Sequence, residues 1–339
     1  MNTLICCIKP KVLGGEGISY SEADKIIASV RQNPAGLDKL LELTGDVTRK
    51  FFGDNIRKCT DGFTANACGN SCSFCYMSSY KGREGEKTNF EYSRERGLLP
   101  RVLRSVGEFV EDAKEKEALG ATQYKIVGPE YQLLPRHFNL ALEAYQAIRQ
   151  ETSLGLCASM GCLDKMDLEK LKEVGVEYFN HNLERINWRD LNSVFTLEQR
   201  RKANRLAKEV GLKRCTGIIA GIGEDLRERI DAIYQLQELG VESLPFNVFV
   251  SPRPEFDKIQ RPSQEELLLS LAVCRLALPK SHVTLNNGNI YFKDSWEKAF
   301  RAGASGFGLK GPKDRPCFLP HGRVENEYAL EAIKRIGLK

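Results

Sequence analysis

From about residue 100 onward, short apolar runs rich in β-branched residues alternate with amphipathic stretches of ten to eighteen residues. Apolar runs of that length read as buried strands and the longer stretches as helices, which predicts repeated βα units around a parallel sheet. Eight strand candidates can be drawn, the first lying upstream: "CTDGFTANA", "TQYKIVG", "LGLCASM", "VEYFNHNLE", "LKRCTGIIAG", "VESLPFNVFV", "SHVTLNN" and "ASGFGLK". Several open just after a glycine, as in "KEALGATQYKIVG", "LKEVGVEYFN", "AKEVGLKRCTG" and "QLQELGVESLPF". Glycine there can take the left-handed conformation that closes a helix. Eight repeats predict a complete (βα)8 barrel of the TIM type; an open six-unit barrel with the last two units packed separately is the alternative.

Residues 1–55 carry helical rather than strand spacing: "SYSEADKIIASV" offers a Ser cap with a Glu nearby, and "AGLDKLLELTGDVTRKFF" has apolar residues at helical intervals. The predicted organisation is a helical N-terminal extension over 1–55 and a barrel over 56–339. Length alone would suggest two domains, but α/β barrels commonly fill this length as one. No run of eighteen apolar residues occurs, so no membrane span is expected. The formal charge is +5, and the basic residues are spread through acid-rich segments such as "VGEFVEDAKEKEALG", so nucleic acid is not indicated.

The chain has eleven cysteines, and its start, "MNTLICCIKPKVLGG", shows no apolar signal region. The expected location is the reducing cytoplasm, where cysteines more often serve metals or catalysis than disulfides. Four of the eleven fall within residues 59–75, and Cys68, Cys72 and Cys75 follow the spacing C-x3-C-x2-C just after the first strand. In a barrel that is the carboxyl end, where active sites are built. Three thiolates on one short loop can hold three irons of a 4Fe-4S cluster and leave the fourth open to chelate a small molecule. A structural zinc site would want a fourth protein ligand, and no second pair follows at knuckle spacing.

With Phe74 before the last cysteine, this stretch resembles the motif of the radical S-adenosylmethionine (SAM) superfamily. The resemblance extends over residues from about 15 to 305 and is biotin synthase-like. It implies a radical SAM barrel whose 4Fe-4S cluster cleaves SAM to a 5'-deoxyadenosyl radical, with electrons from a donor such as ferredoxin or flavodoxin. "GIIAGIGE" is similar to the family's adenine-contacting stretch and would contribute Gly217, Ile219, Gly221 and Glu224; alone, it would read as a tight turn. "YFNHNLE" is similar to the biotin synthase signature at the fourth strand. By that resemblance Asn182 and Glu184 bind SAM, Asn180 faces the substrate, Arg200 holds the methionyl carboxylate and Asn247 binds substrate. Alternation along a strand puts Asn180, Asn182 and Glu184 on one face. A satisfied polar cluster at a strand end, with His181 turned outward, is the plainer reading.

Cys59, Cys157 and Cys215 lie on the first, third and fifth predicted strands. Barrel interiors fill in layers drawn from alternate strands, so the three are expected to converge in the lumen on a second cluster. The alternative is small buried core residues. Biotin synthases hold a sulfur-donating auxiliary cluster there, and the resemblance matches Cys157 and Cys215 to it. The second-strand cysteine is replaced by Lys125 and the seventh-strand arginine by Thr284, so Cys59 would complete a 4Fe-4S or related type. Cys162 and Cys317 are weaker fourth ligands; Cys6, Cys7 and Cys274 read as structural or incidental. The resemblance thus implies an enzyme that inserts sulfur at unactivated C–H positions of a small-molecule or carrier-bound acyl substrate. "SPRPEF" stands where biotin synthases usually carry G-T-P-L, which puts dethiobiotin in question. The alternatives are a subunit of a two-component lipoyl synthase acting on a protein-bound octanoyl group, a radical mutase or cofactor-maturation enzyme, and a non-catalytic iron-sulfur carrier. A homodimer and a partner radical SAM subunit both stay open.

Overall fold

The computed structural model describes residues 1–129, 134–187, 191–286, 289–292, 295–314 and 322–339. The eight expected strands are all present, every pairing is parallel, and the sheet closes on itself. In chain order they are β1 (Arg57–Phe63), β2 (Gln123–Val127), β3 (Gly155–Ser159), β4 (Tyr178–Asn180), β5 (Lys213–Cys215) with its continuation β6 (Ile218–Ala220), β7 (Ser243–Val248), β8 (His282–Leu285) and β9 (Gly306–Gly308). The fifth strand breaks into β5 and β6 around Gly217, where a Cβ would sit 1.8 Å from the carbonyl oxygen of Pro245. The close approach of neighbouring backbone therefore demands glycine there.

Helices surround the strands: α1 (Asn2–Leu13), α2 (Tyr20–Gln32), α3 (Gly36–Phe52), α4 (Asn89–Glu95), α5 (Val106–Ala118), α6 (Pro135–Glu151), α7 (Lys165–Glu173), α8 (Leu197–Glu209), α9 (Leu226–Leu239), α10 (Gln264–Ala277), α11 (Trp296–Arg301) and α12 (Gly322–Arg335). The Ser19 cap of α2 forms a capping box with Glu22. Gly120, Gly175, Gly211 and Gly240, the four glycines picked out above, all have positive φ. α10 buries residues all around its circumference because α3 and α11 lie on the faces the barrel leaves open. The N-terminal helices thus share one hydrophobic core with the barrel. Among the described residues, no helix is long and apolar enough to cross a membrane.

The register fixes how the lumen is layered. From Cys59, pairing runs through Gln123 to Gly155, and the layer-mate lies two residues on, at Cys157. The same step leads from Cys157 to Cys215, then to Thr284, then back to Cys59 through Gly306 and Arg57. Four steps accumulate an offset of eight residues, the shear of a TIM-type barrel. Cys59, Cys157, Cys215 and Thr284 therefore form one lumen layer. Lys125, Asn180, Pro245 and Gly308 form the next towards the carboxyl end, with Asp61, Ser159, Gly217 and Asn286 above them.

Candidate functional site

The cysteine loop leaves β1 and folds against the carboxyl mouth of the barrel. The Cys68 amide donates to the Met77 carbonyl at 2.8 Å, and the Ser78 hydroxyl donates to the Cys72 carbonyl at 2.7 Å. The buried Asn89 amide donates to the carbonyls of Ser73 at 2.7 Å and Cys75 at 3.0 Å, so α4 holds the loop from below. Cys68 and Cys72 are buried, while Cys75 reaches the mouth beside Phe74. Burial pushes the Cys75 thiol up to about 12, so metal binding would have to displace its proton. The Val194 amide donates to Cys72 Sγ at 3.4 Å. Among the described residues, no three His, Cys, Asp or Glu side chains converge on a single ion. The loop's three sulfur donors match a cluster that spreads them over separate irons.

At the mouth a cavity of about 230 Å³ is walled by Phe74, Cys75, Asn180, Asn182, Glu184 and Ile219, with Asn247 opposite. β4 ends at Asn180, yet the three expected side chains keep one face. Asn180 Nδ2 donates to Asn182 Oδ1 at 3.0 Å, and Asn182 Nδ2 donates to Glu184 Oε1 at 3.2 Å. Asn182 Oδ1 also accepts from the Gly217 amide at 2.9 Å, which ties this face to the "GIIAGIGE" stretch. Glu184 holds a left-handed φ of 62°, a conformation that costs a non-glycine residue energy and marks functional sites. Its Oε2 is buried without a partner, and burial raises its pKa. An unsatisfied acceptor aimed at the mouth suits a polar ligand such as SAM.

Below that stretch, Glu224 accepts from the amides of Gly221 and Ile222, both at 2.7 Å, and is paired with the buried Arg229 at 2.6 Å. Gly221 has φ 79°, and a Cβ there would meet Pro262. Arg200 stands behind the wall: it donates to the Asn182 carbonyl at 2.7 Å and to Ser193 Oγ at 2.8 Å, and its buried Nε has no partner. His181 faces away from the lumen but is buried, stacked on Phe179. Burial and Arg200 hold it neutral down to about 3.

Under the cavity floor, Cys157 and Cys215 pack together with Tyr178, and burial pushes Cys59 up to about 12. The bond from the Cys157 thiol draws Cys215 below the ordinary range, with Lys125 and Arg57 adding to it. Thr284 Oγ1, in the same layer, is buried without a partner. Three thiols and an orphaned hydroxyl in one layer have the donor chemistry an auxiliary cluster requires. Cys162 instead lines a groove beside α7 and α8, and Cys274 lies in the core. Cys6 and Cys7 are exposed, and Cys317 lies outside the described residues.

Sequence reasoning missed Asp61 and Asn286 as cavity residues and read Lys125 only as a departure. Asp61 lies two positions past Cys59, so strand alternation already placed it inward. Arg185, whose buried guanidinium donates to the carbonyls of Ile222 and Gly223, carried no signal beyond a polar residue after a strand.

A sequence profile of the Radical SAM superfamily matches residues 63–236. The biotin synthase of Clostridioides difficile (strain 630) is 30% identical over 312 residues, covering 90% of this chain and 91% of that one. The biotin synthase of Clostridium perfringens (strain 13 / Type A) is 32% identical over 277 residues, 80% of this chain and 82% of its own. In fold, the chain resembles a crystal structure of methylornithine synthase, with a TM-score of 0.76, 19% identity and coverage of 98% and 96%. It also resembles the FeFe-hydrogenase maturase from Carboxydothermus hydrogenoformans, with a TM-score of 0.72, 20% identity and coverage of 99% and 79%.

Proposed function

Because the chain belongs to the radical SAM superfamily and is biotin synthase-like, we propose that it is an enzyme that inserts sulfur at an unactivated C–H position of its substrate. The observation that carries this reading is the layer of Cys59, Cys157, Cys215 and Thr284 one step beneath the floor of the cavity. Radical generation alone would not call for lumen cysteines.

Cys68, Cys72 and Cys75 would hold a 4Fe-4S cluster through their thiolates, next to the cavity that would take SAM. When bound, these groups supply a 5'-deoxyadenosyl radical that removes hydrogen, and the auxiliary cluster supplies sulfur. Glu184 and Asn182 hold SAM, Phe74 and Ile219 lie along it, Gly217 and Gly221 let the backbone behind them pack against Pro245 and Pro262, and Glu224 keeps the loop in shape through its two amide bonds. Arg200 fixes the Asn182 carbonyl from behind the wall, and its unpartnered Nε is the donor the methionyl carboxylate would have to reach past that wall. Asn180 and Asn247 orient the substrate over the floor, where aromatic and aliphatic walls exclude water. Cys59, Cys157 and Cys215 hold the sulfur donor away from bulk solvent.

The test is anaerobic reconstitution with iron and sulfide counting, followed by product analysis with dethiobiotin and with an octanoylated carrier. A thiolated product from either substrate supports the reading and names its class. Deoxyadenosine formed with a rearranged, sulfur-free product would overturn it in favour of a mutase.

A further inference from the structure

At the amino end of the barrel, opposite the cavity above, the lowest inward residues surround a second opening of about 500 Å³. Arg57, Gln123, Gly155, Tyr178, Lys213 and His282 line it, and Phe52 of α3 rests on its outer side against His282. Its roof touches the cysteine layer. Cys59 Sγ donates to Gln123 Oε1 at 3.3 Å, Tyr178 packs on Cys157 and Cys215, and the charge of Arg57 reaches Cys59 and Cys215.

The opening is cationic. Arg57 and Lys213 face it; Glu177 is the one acid among the described lining residues, and it pairs with Lys213 at 3.6 Å. Arg57 lies over the Tyr178 ring at 4.9 Å and donates Nη2 to the Tyr178 hydroxyl at 3.0 Å. Its Nη1 is buried with no partner. A buried guanidinium donor without an acceptor asks for an anion. Burial, then Arg57, Arg275 and Lys213, hold His282 neutral down to about 3, as a positive field would. From the other end, the layer is roofed by the Lys125–Asp61 ion pair, and SAM and substrate would fill the space above it.

We propose that this opening is a port for small anions, with Arg57 Nη1 as the receptor, through which hydrosulfide reaches the layer of Cys59, Cys157 and Cys215. The identity of the cargo rests on the sulfur-donor reading above; the anion site at Arg57 does not. The port accounts for the cationic lining at a face of the barrel that carries no radical chemistry. It also lets a donor spent at each turnover be refilled while the upper cavity stays occupied.

The test has two arms. Crystals soaked in bromide should show anomalous density in contact with Arg57, absent in Arg57→Met. In solution, protein holding only the SAM-site cluster is given ferrous iron and sulfide, and recovery of the second cluster is followed by absorbance and iron content. Arg57→Met should slow recovery about tenfold by removing the focusing charge, with the SAM-site cluster unchanged. Gly155→Val, which narrows the mouth without altering charge, should slow it as well. No bromide at Arg57 overturns the port. So does recovery at the wild-type rate in both variants, with the sulfur-donor reading left intact. Iron that stays at about four per chain in the wild type overturns the sulfur-donor reading and removes the cargo with it.

Discussion

The ammonium of Lys125 lies 3.1 Å from the carboxylate of Asp61, on the cavity floor directly above the three lumen cysteines. A biotin synthase-like pattern would place a cysteine at the Lys125 position. The substitution keeps the site polar and trades a sulfur ligand for an ion pair. Burial alone would raise Asp61, and Lys125, with Lys310 and Lys116, outweighs it, so the group sits below the ordinary carboxylate value.

Lys125→Met leaves that carboxylate partly buried and unpaired. The loss in stability should be about 2 kcal/mol at neutral pH, less than for a fully buried pair because both side chains are about one-fifth exposed. A lowered carboxylate adds stability that is complete above its unfolded value, near pH 4, and is lost as pH falls through the folded value. In the variant the lowering by Lys125 is lost while burial remains, so Asp61 takes up its proton at a higher pH than in the wild type, and protonation relieves the cost. Urea titrations should show the largest wild-type advantage near pH 7 and a shrinking one towards pH 4. A constant gap across that range would rule out the pair as its cause.

Glu184→Gln should weaken SAM binding about tenfold, the effect of one charge-assisted hydrogen bond, with the fold retained. Anaerobic calorimetry on reconstituted protein reads this directly. Unchanged affinity would mean the wall of the cavity is drawn wrongly.

Arg229→Met should be among the costliest single changes in the chain. It strips the partner from Glu224, which is 4% exposed, and breaking a buried pair costs about 3–5 kcal/mol. Because Glu224 holds the amides of Gly221 and Ile222, SAM affinity should fall with stability. Denaturant unfolding of the metal-free protein separates the two effects.

Replacing Cys68, Cys72 or Cys75 by Ala should abolish deoxyadenosine formation, since each is assigned one iron of the SAM-site cluster. A near-normal rate in any of the three variants would remove that residue from the ligand set.

The barrel was legible because its signal is periodic: eight apolar runs, four of them opened by a helix-closing glycine, became the eight barrel strands, and Gly240 closes α9 in the left-handed conformation expected of it. Strand parity made the three cysteines candidates for one layer, but their equal height in the lumen, and Thr284 beside them, come from the register. The break at Gly217 was not legible, because it depends on the carbonyl of Pro245 on another strand. Nor was the short β4: the "YFNHNLE" pattern alternates beyond Asn180, but the regular ladder stops there and returns only as a single parallel bridge from Glu184, at positive φ, to Ile218. Arg200 shows the same limit. Its position on α8 could be read from the chain, but its commitment to the Asn182 carbonyl is a tertiary contact.

Sulfur insertion from the lumen layer is the central claim, and one isotope measurement tests it most directly. The protein is reconstituted anaerobically with iron and ³⁴S-sulfide, freed of excess sulfide, and incubated with SAM, reductant and dethiobiotin or an octanoylated carrier. Mass spectrometry then follows product and deoxyadenosine together. The wild type should form deoxyadenosine and a ³⁴S-labelled product. The Cys59→Ala, Cys157→Ala, Cys215→Ala triple variant should still form deoxyadenosine but no labelled product. A ³⁴S-labelled product from the triple variant, at the wild-type yield, would contradict the account and return the three cysteines to the core.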